Sequence, residues 1–599
     1  MSTIIKRRPH ILKPNLKNEL PRYLLAVDTE TQPEKIDDET EKHVLKLGYA
    51  IFYDRLHRKK EYFYFESPED FWKFVLSKTK PKTKLYIFAH NFDFDWQVLQ
   101  GWQFLPKTIK GEYKTTIFDS SNFIINYRCE NKCSLVFLST TNYFKTSLGE
   151  LGKLLGLNKM DVDFSCTSKQ YLKEYCKRDT EIVLEIIKYY LQFLKHHDLG
   201  NFKYTAAGQS FTAYRHRFMR DKIYIHSNPA VVALERESYR GGRNECFFIG
   251  RIEGDTVYKL DINSMYPFVM KTYEYPTKLI KHFKNVPVQR LYEFMKEYLV
   301  IARLKISINK PCIGKKQKKL IFPTGTFECV LCSPEIELVK KYGEILQVEE
   351  VALYEKGEIF KDFINFFYNL RLKHKQEGNE IMQFFDKLLM NSLYGKFGQK
   401  TELFKEAGFT ERGHYEIQKV YDMDSRKWLY RKIIDGKVYE KEGYQEGTDS
   451  FVAIASFVTA YARCYLWRLI ETAGENNVFY CDTDSLFVNK QGYENLKQYI
   501  NSKELGKLKV EDISEFLEIR NCKDYTFGKE TKRKGVRKDA EEISENEFKQ
   551  VQFVKNRGNL SDYKEDGAIV KTIIKKLKGT YDKGVVQNNG KVIPIRLNE

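Results

Sequence analysis

The sequence predicts a multidomain protein of the α/β class. Three observations carry that prediction. The chain has 599 residues, and at about 150 residues per domain that is room for about four structural units. Hydrophobic residues make up 42% and charged residues 30%, a balance that fills cores and excludes a disordered chain. Short apolar runs alternate with segments of helical period over residues 21–203, the pattern of a sheet covered by helices.

The first twenty residues are basic and contain proline, so they read as a loose arm. From Tyr23, YLLAVD is a short apolar run ending in acid, a buried strand whose C-terminal end can carry chemistry. KLGYAIFYD and KLYIFAHN read as further strands. SLGELGKLLGL and YLKEYCKRDTEIVLEIIKYYLQFL have helical period. A second region begins near Tyr204. There VYKLDINSMYPFVM reads as a strand that opens into a turn and helix, and mixed strands and helices follow to residue 360. FKDFINFFYNLRLKHK and EIMQFFDKLLMNSLYGKFG read as two helices joined near QEGN. Residues 400–448 are polar, with short Tyr- and Val-rich strands. FVAIASFVTAYARCYLWRLI is a buried helix. NVFYCDTDSLFV is two apolar strands around an acidic centre, a hairpin by its pattern. The end of the chain is Lys-rich, with KETKRKGVRK at 529–538 and KTIIKKLKG at 571–579.

Composition narrows the partner. Lys and Arg number 100 and Asp and Glu 81, a formal charge of +19, which favours a polyanion such as nucleic acid or a membrane surface. Phe451 to Ala462 is the longest apolar stretch and is too short to span a bilayer. MSTIIKRRPH has charge but no apolar core, so secretion is not expected. Eleven Cys, an odd number thinly spread, fit reduced thiols in a cytoplasm-like compartment. Cys329 and Cys332, and Cys129 and Cys133, lack a nearby His or second pair, so they read as ordinary thiols rather than a zinc site.

Two carboxylate constellations stand out. In the N-terminal region, Asp28 and Glu30 are two apart, which on a strand turns both to one face. Asp95 ends HNFDFD. Tyr175 and Asp179 are four apart and share a helix face. Singly, DTE reads as a surface turn and YCKRD as a solvated helix face. In this order within one α/β unit they read as a site for hard cations such as Mg²⁺ or Mn²⁺, two of which can cut a phosphodiester. In the C-terminal region, Asp261 ends an apolar strand, and Asp482 and Asp484 lie at the hairpin tip and again share a strand face. An exposed turn would also use Asp and Ser, but apolar strands flank this one. Buried acids need cations, and divalent metals with a nucleoside triphosphate supply them. Between the two constellations, Lys387, Asn391 and Tyr394 sit at i, i+4 and i+7, one helix stripe suited to phosphate and base. Lys375 offers a second cation and reads equally as a solvated lysine.

These residues carry a resemblance. DTET, HNFDFD and YCKRD resemble the three exonuclease motifs of family B DNA polymerases. DINSMYP, KLLMNSLYG and YCDTDS resemble their polymerase motifs A, B and C. CKDY at 522–525 resembles the K-x-Y motif, and SYRGG, containing Tyr239, Gly241 and Gly242, the Y-x-G-G motif. The match is ordered, covers roughly residues 24–525, and is most similar to the protein-primed branch of linear-genome phages and linear plasmids.

The resemblance implies an RNase H-like exonuclease domain plus a right-hand polymerase with two inserted subdomains. The corresponding expected division is an arm at 1–20, the exonuclease domain at 21–203, and the palm at 204–300 and 449–549. A first, priming-type insertion is expected at 301–360, fingers at 361–398, a second insertion at 399–448 for processivity and strand displacement, and a thumb at 550–599. By the same resemblance, Asp28, Glu30, Asp95 and Asp179 would hold exonuclease metals, with Tyr175 orienting water and Lys159 near the scissile phosphate. Thr31, Asn91 and Phe94 would bind the 3′ end of a single strand. Asp261 and Asp484 would be the principal polymerase ligands, with Asp482 close by. Tyr266 would stack on the incoming sugar and exclude a 2′-hydroxyl. Lys387 and Lys375 would hold the dNTP triphosphate, Asn391 lying beside them, and Tyr394 would check the nascent pair. Lys523 and Tyr525 would grip the primer, while Tyr239, Gly241 and Gly242 would track template.

HNFDFD carries an extra acid, Asp93, so Asp93 and Asp95 remain rivals for one ligand position. The implied function is a monomeric, intracellular DNA polymerase with 3′→5′ proofreading, acting in phage, virus or plasmid replication in a host cytoplasm or in a mitochondrion. Its implied partners are primer-template DNA, single-stranded DNA and a terminal protein, with no membrane. A DNA-primed or primer-independent polymerase and a non-catalytic replication scaffold are the alternatives; intact carboxylates in both sets argue against the scaffold.

Overall fold

An apolar run that ends in acid needs a paired strand on each side before its acids can be held in place. In the computed structural model, which describes residues 3–4, 7–118, 121–163, 168–423 and 426–598, Tyr23–Lys35 meets that need. Its first five residues are buried. It pairs antiparallel with Thr40–Asp54 and parallel with Lys84–Ala89, which pairs parallel with Ser134–Ser139. Ile124–Cys129 and Gly111–Ile117 continue the sheet. The 28-residue helix Lys169–His196, capped by the Ser168 side chain, packs across Tyr23–Lys35 and Thr40–Asp54.

Two departures from expectation concern the chain ends. The N-terminal arm is pinned rather than loose. Arg7 donates to the carbonyls of Gly447 at 2.7 Å and Ser450 at 2.6 Å, His10–Ile11 pairs with Tyr224–Ile225, and Leu12 is buried. Basic residues solvate an arm only when no carbonyls converge on them, and here a guanidinium fork finds several. Residues 1, 2, 5 and 6 lie outside the described residues. At the other end, Ala568–Lys576 pairs antiparallel with Thr40–Asp54 and with Glu547–Val554, making a ten-stranded sheet. The 549/550 boundary therefore cuts a strand, and the C-terminal hairpin covers a sheet edge that would otherwise expose unpaired backbone groups.

The second region holds two seven-stranded sheets. One orders Asn244–Cys246, Val478–Asp482, Ser485–Asn489, Gly250–Ile262, Leu508–Asn521, Asp524–Phe527 and Glu530–Lys532. The buried 22-residue helix Val452–Ala473 packs against the helices Pro229–Ser238, Met265–Thr272 and Ser333–Tyr342. The other sheet contains Tyr275–Lys284, Gly343–Gly357, Leu299–Ile308 and Thr324–Cys332 as neighbours. The expected division at 300/301 thus falls inside Leu299–Ile308, whose partners Thr324–Cys332 and Gly343–Gly357 both lie beyond the boundary, while Gly343–Gly357 also pairs with Tyr275–Lys284 before it.

Lys361–Gln376 and Glu380–Ser392 form the expected helix pair, joined through Gly378 at φ +67°. The second helix stops at Ser392 and resumes as Tyr394–Phe397, so Tyr394 is not on the helix that carries Lys387 and Asn391. Among the described residues, 400–446 hold four strands. Among the described residues no helix is long and apolar enough to cross a membrane.

Candidate active sites

The first candidate site is built on the strand Tyr23–Lys35. Alternation turns Asp28 and Glu30 to one face, and a carboxylate oxygen of each lies within 4.8 Å of the other and of the Cys176 thiol. The helix Phe92–Val98 begins after Asn91, which has the left-handed φ of 61°, and brings in Asp95. Thr29 Oγ1 donates to Asp95 Oδ1 at 2.7 Å. The long helix supplies Tyr175 and Asp179 one turn apart. Lys159 Nζ meets Asp179 Oδ2 at 2.6 Å and lies 4.9 Å from the Tyr175 ring centroid.

The electrostatics of this cluster are unbalanced. Burial, then the charges of Asp179, Asp95 and Glu30, pushes the Asp28 carboxyl well above its usual range. Glu30 is pushed up to about 8 and Asp95 to about 7, each chiefly by burial. Burial also raises Asp179 against the pull of Lys159, and Tyr175 goes up to about 12. Asp179 Oδ1 is buried and accepts no hydrogen bond. Four carboxylates with one close ammonium and an orphaned oxygen fit hard divalent cations.

The remaining strand-binding expectations fall around this cluster. Thr31 Oγ1 lies 2.9 Å from His43 Nδ1. Asn91 is exposed. The Phe94 ring sits edge-on to His43 at 6.2 Å and to Phe553 at 5.4 Å. The rival acid Asp93 faces the other way. Its Oδ1 accepts from Asn556 N at 2.7 Å and Asn556 Nδ2 at 2.6 Å. The cluster therefore takes Asp95. Residues two apart on a helix point about 200° apart, which no reading of HNFDFD could orient.

The second candidate site lies at the hairpin tip. Ile262 N donates to Asp484 O at 2.7 Å, bringing the end of Gly250–Ile262 against the turn. Asp261 is pushed up to about 7 by burial, then by Asp484 and Glu511, with Lys387 pulling it down. Asp484 is raised by burial, Asp482 and Glu511, again opposed by Lys387. The strand alternation expected for Asp482 and Asp484 does not hold. Val478–Asp482 ends at Asp482, and Thr483 takes the left-handed φ of 63°. Asp482 Oδ1 is held by Asn244 Nδ2 at 2.8 Å and lies 3.4 Å from Lys523 Nζ.

Gly242 is needed where it stands: a Cβ there would lie 2.7 Å from Thr483 Cγ2, whereas one at Gly241 would meet nothing within 4 Å. Tyr239 packs on Gly398, where a Cβ would lie 2.7 Å from its ring. Tyr266 and Tyr394 stack at 4.8 Å and 27°. Lys387 is exposed and acts on both acids through its charge. Asn391 Nδ2 donates to Lys387 O at 2.8 Å, so its amide is engaged by its own helix. Lys375 is exposed on the last turn of Lys361–Gln376. Tyr525 is 3% exposed, its ring packed on Tyr480 at 5.5 Å and Phe487 at 5.1 Å. A side chain so enclosed supports the sheet rather than presenting itself to a strand.

Four residues near this site escaped sequence reasoning. Asn244 and Glu511 have no motif. Glu511 lies at a register shift opposite Lys259 and Leu260, and Lys509 pairs with Asp261. Arg371, whose guanidinium is 3.4 Å from Ser264 Oγ, stood one turn before Lys375, and that spacing was its available signal.

A large cavity, about 1520 Å³, lies at neither carboxylate cluster. Lys84, Lys145, Lys203, Lys396, Lys400 and Lys432 line it.

Comparison with known proteins bears on both halves of the chain. The family described as DNA polymerase type B, organellar and viral, matches residues 158–476. A probable DNA polymerase of Neurospora intermedia is 27% identical over 372 residues, 58% of this chain, which spans 36% of that relative's length. The DNA polymerase of Streptococcus phage Cp-1 is 24% identical over 496 residues, 75% of this chain and 79% of its own. A solved structure, Phi29 DNA polymerase complexed with primer-template DNA, aligns with a TM-score of 0.70 at 17% identity, over 93% of this chain and 100% of that one. The expected fold class therefore stands.

Proposed function

This chain belongs to the organellar and viral type B DNA polymerases, and from that premise we propose that it copies a DNA template and proofreads the product with a 3′→5′ exonuclease. One observation carries the reading: two separate clusters of raised carboxyls, largely buried in the N-terminal site and half-buried at the hairpin tip, each under the charge of a lysine. A nuclease alone needs one such cluster.

In synthesis, Asp261 and Asp484 would hold Mg²⁺ or Mn²⁺; in proofreading, Asp28, Glu30, Asp95 and Asp179 would. Such ions, when bound, activate the attacking oxygen and stabilise the leaving one. Lys387 meets the charge of the dNTP triphosphate as it develops, with Lys375 as a second cation. The Tyr266–Tyr394 stack closes the sugar side of the nucleotide pocket against a 2′-hydroxyl. Lys523, next to Asp482, grips the primer. In the N-terminal site Thr31, Asn91 and Phe94 bind a frayed 3′ end, Tyr175 orients the attacking water, and Lys159 neutralises the scissile phosphate. The lysine-lined cavity suits a single-stranded template, whose phosphates need sequence-independent cations.

Initiation on a hydroxyl of a terminal protein is part of the proposal. The resemblance of the ordered motifs to the protein-primed branch supports it. The setting is intracellular replication of a viral or plasmid genome by a monomer. A 5′-labelled primer on a longer template with Mg²⁺, with and without four dNTPs, tests the central claim: it should lengthen with nucleotides and shorten without them. Shortening in both lanes would refute synthesis on this substrate. Labelled dNTP transferred to a candidate terminal protein tests priming.

A further inference from the structure

Asp93 is the acid that the sequence singles out and the catalytic cluster does not use. It is 6% exposed, and Asn556, on the far side of the contact, is 1% exposed. Asn556 donates its backbone N–H to Asp93 Oδ1 at 2.7 Å. Its Nδ2 donates to the same oxygen at 2.6 Å and to the Asp93 carbonyl at 2.9 Å. Trp102 Nε1 donates to Asn556 Oδ1 at 2.8 Å, so the amide orientation is fixed. One helical turn on, Gln97 Nε2 donates to Val554 O at 3.1 Å and Gln97 Oε1 accepts from Asn559 Nδ2 at 2.8 Å. Phe553 closes the same contact against Phe94.

The helix Phe92–Val98 therefore has two faces with different tasks. Asp93 and Gln97 are clamped by residues 553–559, while Asp95 points to Thr29 and the acid cluster. The helix has only seven residues and starts at a left-handed Asn91 with no side-chain cap, so its own hydrogen bonds do little to hold it. Its other supports are the buried Phe92 and Trp96 and the Phe92 N–H donated to Ser139 Oγ at 3.2 Å, so the C-terminal contacts are what hold the Asp93 face.

We propose that Asn556 is a positioning residue for the N-terminal site: by gripping Asp93 it fixes the helix that carries Asp95 and Phe94, so strand degradation depends on docking of the C-terminal hairpin more than 450 residues away in sequence. Asp93 acts here as a hydrogen-bond acceptor, not as a ligand of the reacting metals. This rests on the nuclease reading above, and the test separates the two.

The test compares Asp93→Asn, Asp93→Ala and Asn556→Leu in the full chain. Degradation of a labelled single strand is measured over a Mg²⁺ titration, with primer extension as the check on folding. Asp93→Asn keeps the accepting oxygen and should degrade within about twofold of the unsubstituted protein. Asp93→Ala and Asn556→Leu should lose about tenfold or more and need more Mg²⁺ for half-maximal rate, with primer extension within about twofold. If Asp93→Asn is as damaged as Asp93→Ala, Asp93 is needed for its charge and the proposal fails. Amide hydrogen exchange over residues 92–98 gives a readout independent of activity. It should quicken about fivefold or more in Asp93→Ala and Asn556→Leu but not in Asp93→Asn. Unchanged exchange overturns the proposal even in a protein that degrades nothing, and quickened exchange in such a protein upholds the latch while refuting the nuclease reading. Should Asn556→Leu fail to fold, the contrast between Asp93→Asn and Asp93→Ala decides.

Discussion

Gly242 and Thr483 touch so closely that a Cβ on the glycine would lie 2.7 Å from the threonine Cγ2. Thr483 is held at φ 63° between Asp482 and Asp484, and its N–H donates to Arg243 O at 2.6 Å. The glycine motif and the acidic hairpin thus form one packed unit.

Gly242→Ala must displace Thr483 and with it the acids on either side. We expect a loss of about 1–3 kcal/mol in stability and a fall of about tenfold or more in primer extension, with strand degradation unchanged. Gly241→Ala, with open space around it, should extend primers normally. Denaturant unfolding and extension assays on the pair check this; equal behaviour of the two variants would rule out the packing argument.

Asp484→Ala should abolish synthesis and leave degradation intact. Asp28→Ala should do the reverse. Retained synthesis in the first variant, or degradation of single strands by the second, would remove the corresponding assignment. Assays without dNTPs keep the two readouts separate.

Lys387→Ala should raise the KM for dNTP and lower kcat by about 10²-fold or more, because the cation that faces both acids also meets the triphosphate in the transition state. Its side chain is exposed, so Tm should be unaffected. Steady-state single-nucleotide insertion measures the effect, and an unchanged kcat would place Lys387 outside the reaction.

Glu30 is held up to about 8 and Asp261 up to about 7, both first by burial. Unfolded carboxyls titrate near ~4, so between about pH 4 and 8 these carboxyls bind more protons in the metal-free folded state than in the unfolded one. Its stability should therefore fall as pH rises through that window, where buried charges appear unpaired. Saturating Mg²⁺ should offset the fall above about pH 6. Thermal melts across the window, with chelator and with Mg²⁺, check the sign; a metal-free Tm that climbs from about pH 5 to 8 would contradict it.

Much of the candidate chemistry was written locally. Asp28 and Glu30 share a face because strands alternate, and Tyr175 and Asp179 share one because a helix turns every 3.6 residues. Those periods need no knowledge of the rest of the chain, and the hydrophobic runs that bury these acids are equally local. Where local rules met a turn they failed: the same spacing of two at Asp482 and Asp484 did not make a strand pair, since Thr483 leaves the extended region between them.

The tertiary structure decided what depends on partners distant in sequence. Asp93 and Asp95 are chemically identical, and only the arrival of Asn556 on one side and Thr29 on the other separates structural acid from candidate ligand. The same holds for the arm tied down through Arg7, the hairpin that extends the N-terminal sheet, and Glu511 beside Asp261. Sequence period fixes which way a side chain points relative to its own element. Which surface waits there is settled by long-range pairing and burial, whose free energy is shared among segments that no local window contains.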